Sequence, residues 1–68
     1  MPYINIQVTD EGVTAEQKQA LIKGATDLLQ TVLNKNPATT FVVIEEVALE
    51  NWGVGGLPVE EFRKQNTQ

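Results

Sequence analysis

Reactive side chains are scarce in this chain. Of its 68 residues none is Cys and none is His, so thiol nucleophiles, disulfides, imidazole bases and the usual zinc and iron ligands are missing. What remains is the N-terminus itself. The sequence opens Met1-Pro2-Tyr3-Ile4-Asn5-Ile6-Gln7-Val8, and removal of the initiator Met leaves Pro2 with a free secondary amine. A small second residue favours that removal, which is expected in the cell. With Met1 retained, the Pro2 nitrogen is a tertiary amide and carries no basic lone pair. An α-amino group has a reference pKa of about 7.7–8.0 and an apolar setting lowers it, which suits proton transfer near neutral pH. The same amine can condense with carbonyls. The competing reading is structural, because proline is accepted at the first residue of a strand.

The elements that must position this amine follow in order. Tyr3 to Thr9 alternates, with Ile4, Ile6 and Val8 on one face, and predicts a strand over 3–9. Asp10-Glu11-Gly12-Val13 makes a loop. Thr14 and Gln17 then stand at capping-box spacing, and Glu16 complements the first turn of a helix predicted over 15–34. Its apolar face is Leu21, Ile22, Ala25, Leu28, Leu29, Val32 and Leu33. Gly24 interrupts the helix and suggests either a close approach to the strands or local flexibility. Asn34 and Pro37 end it. A second strand is predicted over 39–47, and its centre, Phe41-Val42-Val43-Ile44, is apolar on both faces, as a doubly covered parallel strand would be. One helix covers one face only, so the other face calls for a second subunit. Trp52-Gly53-Val54-Gly55-Gly56-Leu57-Pro58 predicts a hairpin over 52–58. A short helical turn from Val59 to Lys64 follows, then a frayed tail over 65–68.

Size and charge bound the function classes. One domain of this length buries roughly 60% of its unfolded surface, and without disulfides or a metal it gains most from oligomerisation. Five basic against nine acidic residues give a net charge of −4, which argues against nucleic acid and anionic membrane surfaces. The longest apolar run is far too short to span a bilayer. No basic, apolar leader marks export, so a cytoplasmic location is expected.

Taken together, the N-terminal Pro2 strand, the capped helix with Glu16-Gln17-Lys18, the second strand and Trp52-Gly53-Val54-Gly55-Gly56 resemble the 4-oxalocrotonate tautomerase family over about residues 2–57. The resemblance implies an α+β chain with a parallel β-α-β unit and a C-terminal hairpin, assembled as a hexamer built from a trimer of dimers, with pockets made by several subunits. It also implies a cofactor-free keto-enol tautomerase acting on a small-molecule enol acid, with Pro2 as general base and Trp52 as an apolar wall of the pocket.

The pattern departs from the family at two arginines that hold dicarboxylate substrates. One lies in the loop after the first strand, here Asp10 to Val13, which is one residue longer and without a cation. The other falls at Phe41 or Val42, depending on the direction of counting, and both are apolar. A substrate less charged than 2-hydroxymuconate is therefore expected, with Phe41 joining Trp52 in the substrate pocket. Arg63 is a substitute cation able to reach a neighbour's pocket; Lys35 and Lys64 are others, and solvated surface charge is the competing reading of all three. Glu45 and Glu46 read as the solvent-facing end of the second strand. The alternative function is a weakly catalytic or non-catalytic family scaffold for binding or assembly.

Overall fold

In the computed structural model, residues 1–66 are described, and they form β1 (Tyr3–Thr9), α1 (Ala15–Leu33), β2 (Phe41–Val47), β3 (Gly53–Val54), β4 (Leu57–Pro58) and α2 (Val59–Asn66). β1 and β2 are parallel, in a register that sets Tyr3 beside Phe41 and Thr9 beside Val47. The Thr14 hydroxyl accepts from the Gln17 amide at 3.1 Å, and the Gln17 side chain accepts from the Thr14 amide at 2.9 Å. The start of α1 is thus fixed by the reciprocal cap, worth about 1 kcal/mol. Its end is set by Asn34 in the left-handed region, φ 56°.

The period of two in β1 and β2 sorts the sheet into two faces. Ile4, Ile6, Val8, Val42 and Ile44 are half-buried on the helix side. On that side Glu46 pairs with Lys18 of α1 at 3.2 Å, so Glu46 is not simply a solvated strand end. The opposite face carries Tyr3, Asn5, Gln7, Phe41, Val43 and Glu45. There the Asn5 side-chain amide donates to Glu45 at 2.6 Å and to the Tyr3 hydroxyl at 3.0 Å, and Gln7 donates to Glu45 at 3.3 Å. The expected double burial of β2 is absent within one protomer: Phe41 is 52% and Val43 42% exposed.

Other boundaries moved for local reasons. The second strand starts at Phe41 rather than Thr39, because Pro37–Thr39 form a 3-10 turn whose first donor, the Ala38 amide, is taken by the Asn36 side chain at 2.9 Å. Helix α2 continues through Asn66, past the expected end at Lys64, with Glu60 and Glu61 in its first turn and Arg63 and Lys64 in its last. The remainder of the expected tail, 67–68, lies outside the described residues. Gly24 does not serve close approach, since a Cβ there meets nothing within 4 Å.

The β3–β4 hairpin turns through Gly55 and Gly56, both with positive φ (61° and 83°), as a two-residue turn between antiparallel strands demands. Gly55 has a second reason. A Cβ there would meet the Phe62 ring at 3.0 Å, so the missing side chain lets α2 lie on the hairpin. Val59, the first residue of α2, is the one buried hydrophobic side chain among the described residues, at 7% exposure. Its amide donates to the Trp52 carbonyl at 2.8 Å, completing the hairpin–α2 unit.

The protomer is long, 45 × 23 × 20 Å, with a radius of gyration of 15.5 Å against about 11 Å for a compact chain of this length. Its accessible surface is 5129 Å², whereas a folded monomer of 7.5 kDa exposes about 4250 Å². The difference is close to the ~800 Å² that each partner buries in a standard interface.

Candidate active site

Pro2 stands one residue before β1, and its carbonyl accepts from the Phe41 amide at 3.0 Å. That bond fixes the first residue of the chain's proposed chemistry against the start of β2. Phe41 lies at the same end, its ring on the face away from α1, paired in register with Tyr3. Met1 is 82% exposed and so gives up little burial when removed. The Tyr3 hydroxyl reaches Asn5, two residues along the strand, and therefore points away from Pro2.

Trp52 and Arg63 are elsewhere. Trp52 follows the 3-10 turn Leu49–Asn51 that leaves the far end of β2. Seven paired positions separate the two ends, which at the strand rise is about 20 Å. One protomer therefore sets Pro2 beside Phe41 at the start of the sheet, whereas Trp52 follows the other end of β2 and Arg63 is bound to Glu11 just beyond β1. Lys35 sits near the Pro2 end, exposed and without an ion pair among the described residues. Lys64 pairs with Glu61 at 3.6 Å on the surface of α2.

Arg63 corrects its sequence-based role in one respect. It is engaged within its own chain: Nη1 donates to Glu11 Oε1 at 2.5 Å and Nη2 to Glu11 Oε2 at 3.2 Å. The Thr9 hydroxyl also donates to Glu11. Arg63 and Thr9 together lower the Glu11 carboxyl from 4.5 to about 2, and Glu11 raises the Arg63 guanidinium above its ordinary value. Sequence reading missed Glu11 because its partner lies 52 positions away, and the only signal available was opposite charge. An open apolar depression on the helix, lined by Val13, Gln17, Ala20 and Leu21, contains none of the expected site residues. Among the described residues no cluster of acids is arranged to hold a metal, and no helix is long and apolar enough to cross a membrane.

A parallel β-α-β unit preceded by proline, with exposed Tyr3, Phe41 and Val43 on its outer sheet face and a glycine hairpin after it, defines a class of small α+β protein. Comparison with known proteins gives the particular family. Residues 2–61 match the family described as tautomerase enzyme. A protein of Dickeya dadantii named probable tautomerase K2 is 58% identical over 65 residues, covering 96% of this chain and 97% of the relative. The crystal structure of DmpI from Helicobacter pylori superposes with a TM-score of 0.87 at 49% identity, covering 93% of this chain and 97% of that one. A heterohexamer 4-oxalocrotonate tautomerase from Chloroflexus aurantiacus superposes at 0.82 with 28% identity, over 93% and 100% of the two chains. The chain belongs to the tautomerase family and is an isomerase of the 4-oxalocrotonate tautomerase type.

Proposed function

We propose that this isomerase ketonises an enol acid with the Pro2 amine as general base, in a pocket completed by another copy of the chain. The unprotonated amine takes the proton of the 2-hydroxyl as the C2–O bond becomes a carbonyl. The resulting ammonium returns a proton to the carbon at the far end of the enol or dienol system. No proton is gained or lost overall, and no cofactor enters the balance. The supporting observation is the placement of Pro2: it stands immediately before β1, its carbonyl is held by the Phe41 amide at 3.0 Å, and Met1 beside it is exposed. Phe41, and Trp52 from a neighbouring copy, supply apolar walls that disfavour the ammonium and keep the base near working pH.

The partner copy is inferred from the order of the elements, since Pro2 precedes β1 at one end of the sheet and Trp52 follows β2 beyond the other. Exposed Tyr3, Phe41 and Val43 on the outer sheet face supply a surface for assembly, and the hexameric arrangement of the Chloroflexus tautomerase is the arrangement we assign. With no arginine in the loop after β1 and none at Phe41 or Val42, the substrate carries less charge than 2-hydroxymuconate. Loss of a positioned charge stabiliser costs about 10²–10³ in rate. Turnover of phenylenolpyruvate by the Met-free protein, verified by intact mass, should exceed that of 2-hydroxymuconate, and Pro2→Ala, which leaves a primary amine in place of the ring amine, should lower both strongly. Undiminished turnover by Pro2→Ala would place the chemistry elsewhere, and efficient use of the dicarboxylate would refute the substrate class.

A further inference from the structure

The hairpin–α2 unit and the β-α-β unit are joined by a bridge that the Pro2 chemistry does not use. Between β2 and Trp52 the chain runs through Ala48 and the 3-10 turn Leu49–Asn51, and the bonds of this connector are internal. The Asn51 amide donates to the Ala48 carbonyl at 2.8 Å and the Trp52 amide to the Leu49 carbonyl at 3.2 Å. Such bonds shape the turn but leave its direction relative to the sheet to longer-range contacts. Glu11–Arg63 is one of these: two terminal nitrogens of Arg63 donate to the Glu11 carboxylate, at 2.5 and 3.2 Å, across 52 positions of chain. On the sheet side Glu11 is set by its neighbours. The Asp10 amide donates to the Val47 carbonyl at 2.8 Å, the Thr9 hydroxyl donates to Glu11 itself, and Gly12 turns the chain at φ 88°. On the other side Arg63 belongs to α2, whose Val59 amide is bound to the Trp52 carbonyl and whose Phe62 ring lies against Gly55.

We propose that Glu11 is a positioning residue of the isomerase: through Arg63 it straps α2 to the end of β1 and so sets the orientation in which the Trp52 indole is presented to a neighbouring copy's site. This rests on the reading in which Trp52 walls a pocket whose base is another copy's Pro2. Two parallel bonds fix orientation as well as distance, which the point charge of a lysine does not. The pair is open to solvent, with side chains 50% and 40% exposed, so its worth lies in geometry more than in bulk stability. Arg63 and Thr9 lower the Glu11 carboxyl to about 2, and the strap therefore keeps its charge at any working pH. The other ion pairs cannot replace it. Lys23–Asp27 and Glu61–Lys64 each lie within one helix, and Lys18–Glu46 joins α1 to β2. An indole held in place before substrate arrives also spares binding the cost of ordering it.

Trp52 is the one tryptophan of the chain, so its emission reports on this segment alone. In the assembled, Met-free enzyme, Glu11→Gln should increase acrylamide quenching of Trp52. It should also raise KM for phenylenolpyruvate about two- to fivefold with kcat nearly held, because a displaced apolar wall weakens binding of substrate and transition state alike. Glu61→Gln, which breaks another ion pair of α2, should leave both readings at their wild-type values. Arg63 has a further interaction besides Glu11, so its own replacement costs more. Glu11→Gln should then add nothing in an Arg63→Gln background, as two residues acting through one bond require. A role confined to stability would lower Tm while leaving quenching and KM, measured well below Tm, unchanged. That outcome, equal changes in Glu61→Gln, or an undiminished further loss in the Arg63→Gln background would overturn the proposal. Quenching is read without substrate and so stands apart from the Pro2 reading, whose failure would show instead as undiminished turnover by Pro2→Ala.

Discussion

If the site is assembled between copies, two inactive variants should rescue one another. Pro2→Ala replaces the proposed base, a ring amine, with a freely rotating primary amine, and Trp52→Ala removes a proposed apolar wall while leaving the backbone bond from Val59 to the residue-52 carbonyl intact. Each is prepared alone, then mixed in equal amounts in denaturant and refolded together. Pro2 precedes β1 and Trp52 follows the far end of β2, so the proposed pocket takes the two residues from different copies. In a randomly mixed, symmetric assembly each site draws its proline from one copy and its indole from another. About one site in four then combines an intact Pro2 with an intact Trp52. Turnover of phenylenolpyruvate should rise to roughly a quarter of wild type, well above the mean of the two parents. If both residues served from the same chain, no mixed site would be complete and activity would stay at that mean. That result, with mixing verified by native mass spectrometry, would refute the reasoning.

Three further outcomes follow from the same structure. Gly55→Ala places a methyl 3.0 Å from the Phe62 ring at a φ of +61°, so it should destabilise α2 docking by about 1–3 kcal/mol, read as a lower Tm and faster proteolysis after β4. The Glu11 carboxyl, lowered from 4.5 to about 2 by Arg63 and Thr9, has its folded value below its unfolded one. Its contribution to α2 docking is therefore fully present above about pH 4.5 and is lost as pH falls through about 2. Carbon NMR of the Glu11 carboxyl should show a midpoint near 2, returning toward 4.5 in Arg63→Gln; an unmoved midpoint would remove the ion pair as its cause. Val43→Asp, on the outer sheet face near Glu45, should dissociate the assembly in sedimentation, because an unpaired carboxylate would be buried there beside a like charge. Wild-type sedimentation would mean that this face is not the interface.

Much of the fold was legible because its signals are local. Thr14 and Gln17 sit three residues apart, β1 alternates with a period of two, and Gly55-Gly56 permits only a tight turn. The strand start at Phe41 was missed by two residues because an Asn36 side-chain cap, not hydropathy, decides where the chain becomes extended. Gly24 misled for a related reason, since composition cannot tell a glycine that admits a neighbour from one facing open space. At the site, Pro2 could be nominated because its chemistry lies in its position. The separation of Pro2 from Trp52 required the direction of β2, and Glu11–Arg63 required a contact across 52 residues.

The energetic and catalytic arguments converge on the same surface. With Val59 as the one buried hydrophobic side chain among the described residues, a single protomer lacks the burial that offsets the entropy of ordering its chain. Tyr3, Phe41 and Val43 on the outer sheet face, and Leu28, Val32 and Leu33 on α1, remain 42–67% exposed until copies cover them. Phe41 belongs to that apolar surface and also stands beside Pro2. Covering the sheet would therefore dry the setting of the amine at the moment the assembly becomes stable. A chain of this design gains nothing from a complete site in the monomer, because the isolated fold would be too marginal to hold it. With the proposed base before β1 and Trp52 beyond the far end of β2, the proposed site predicts that the active enzyme and the stable enzyme are the same species.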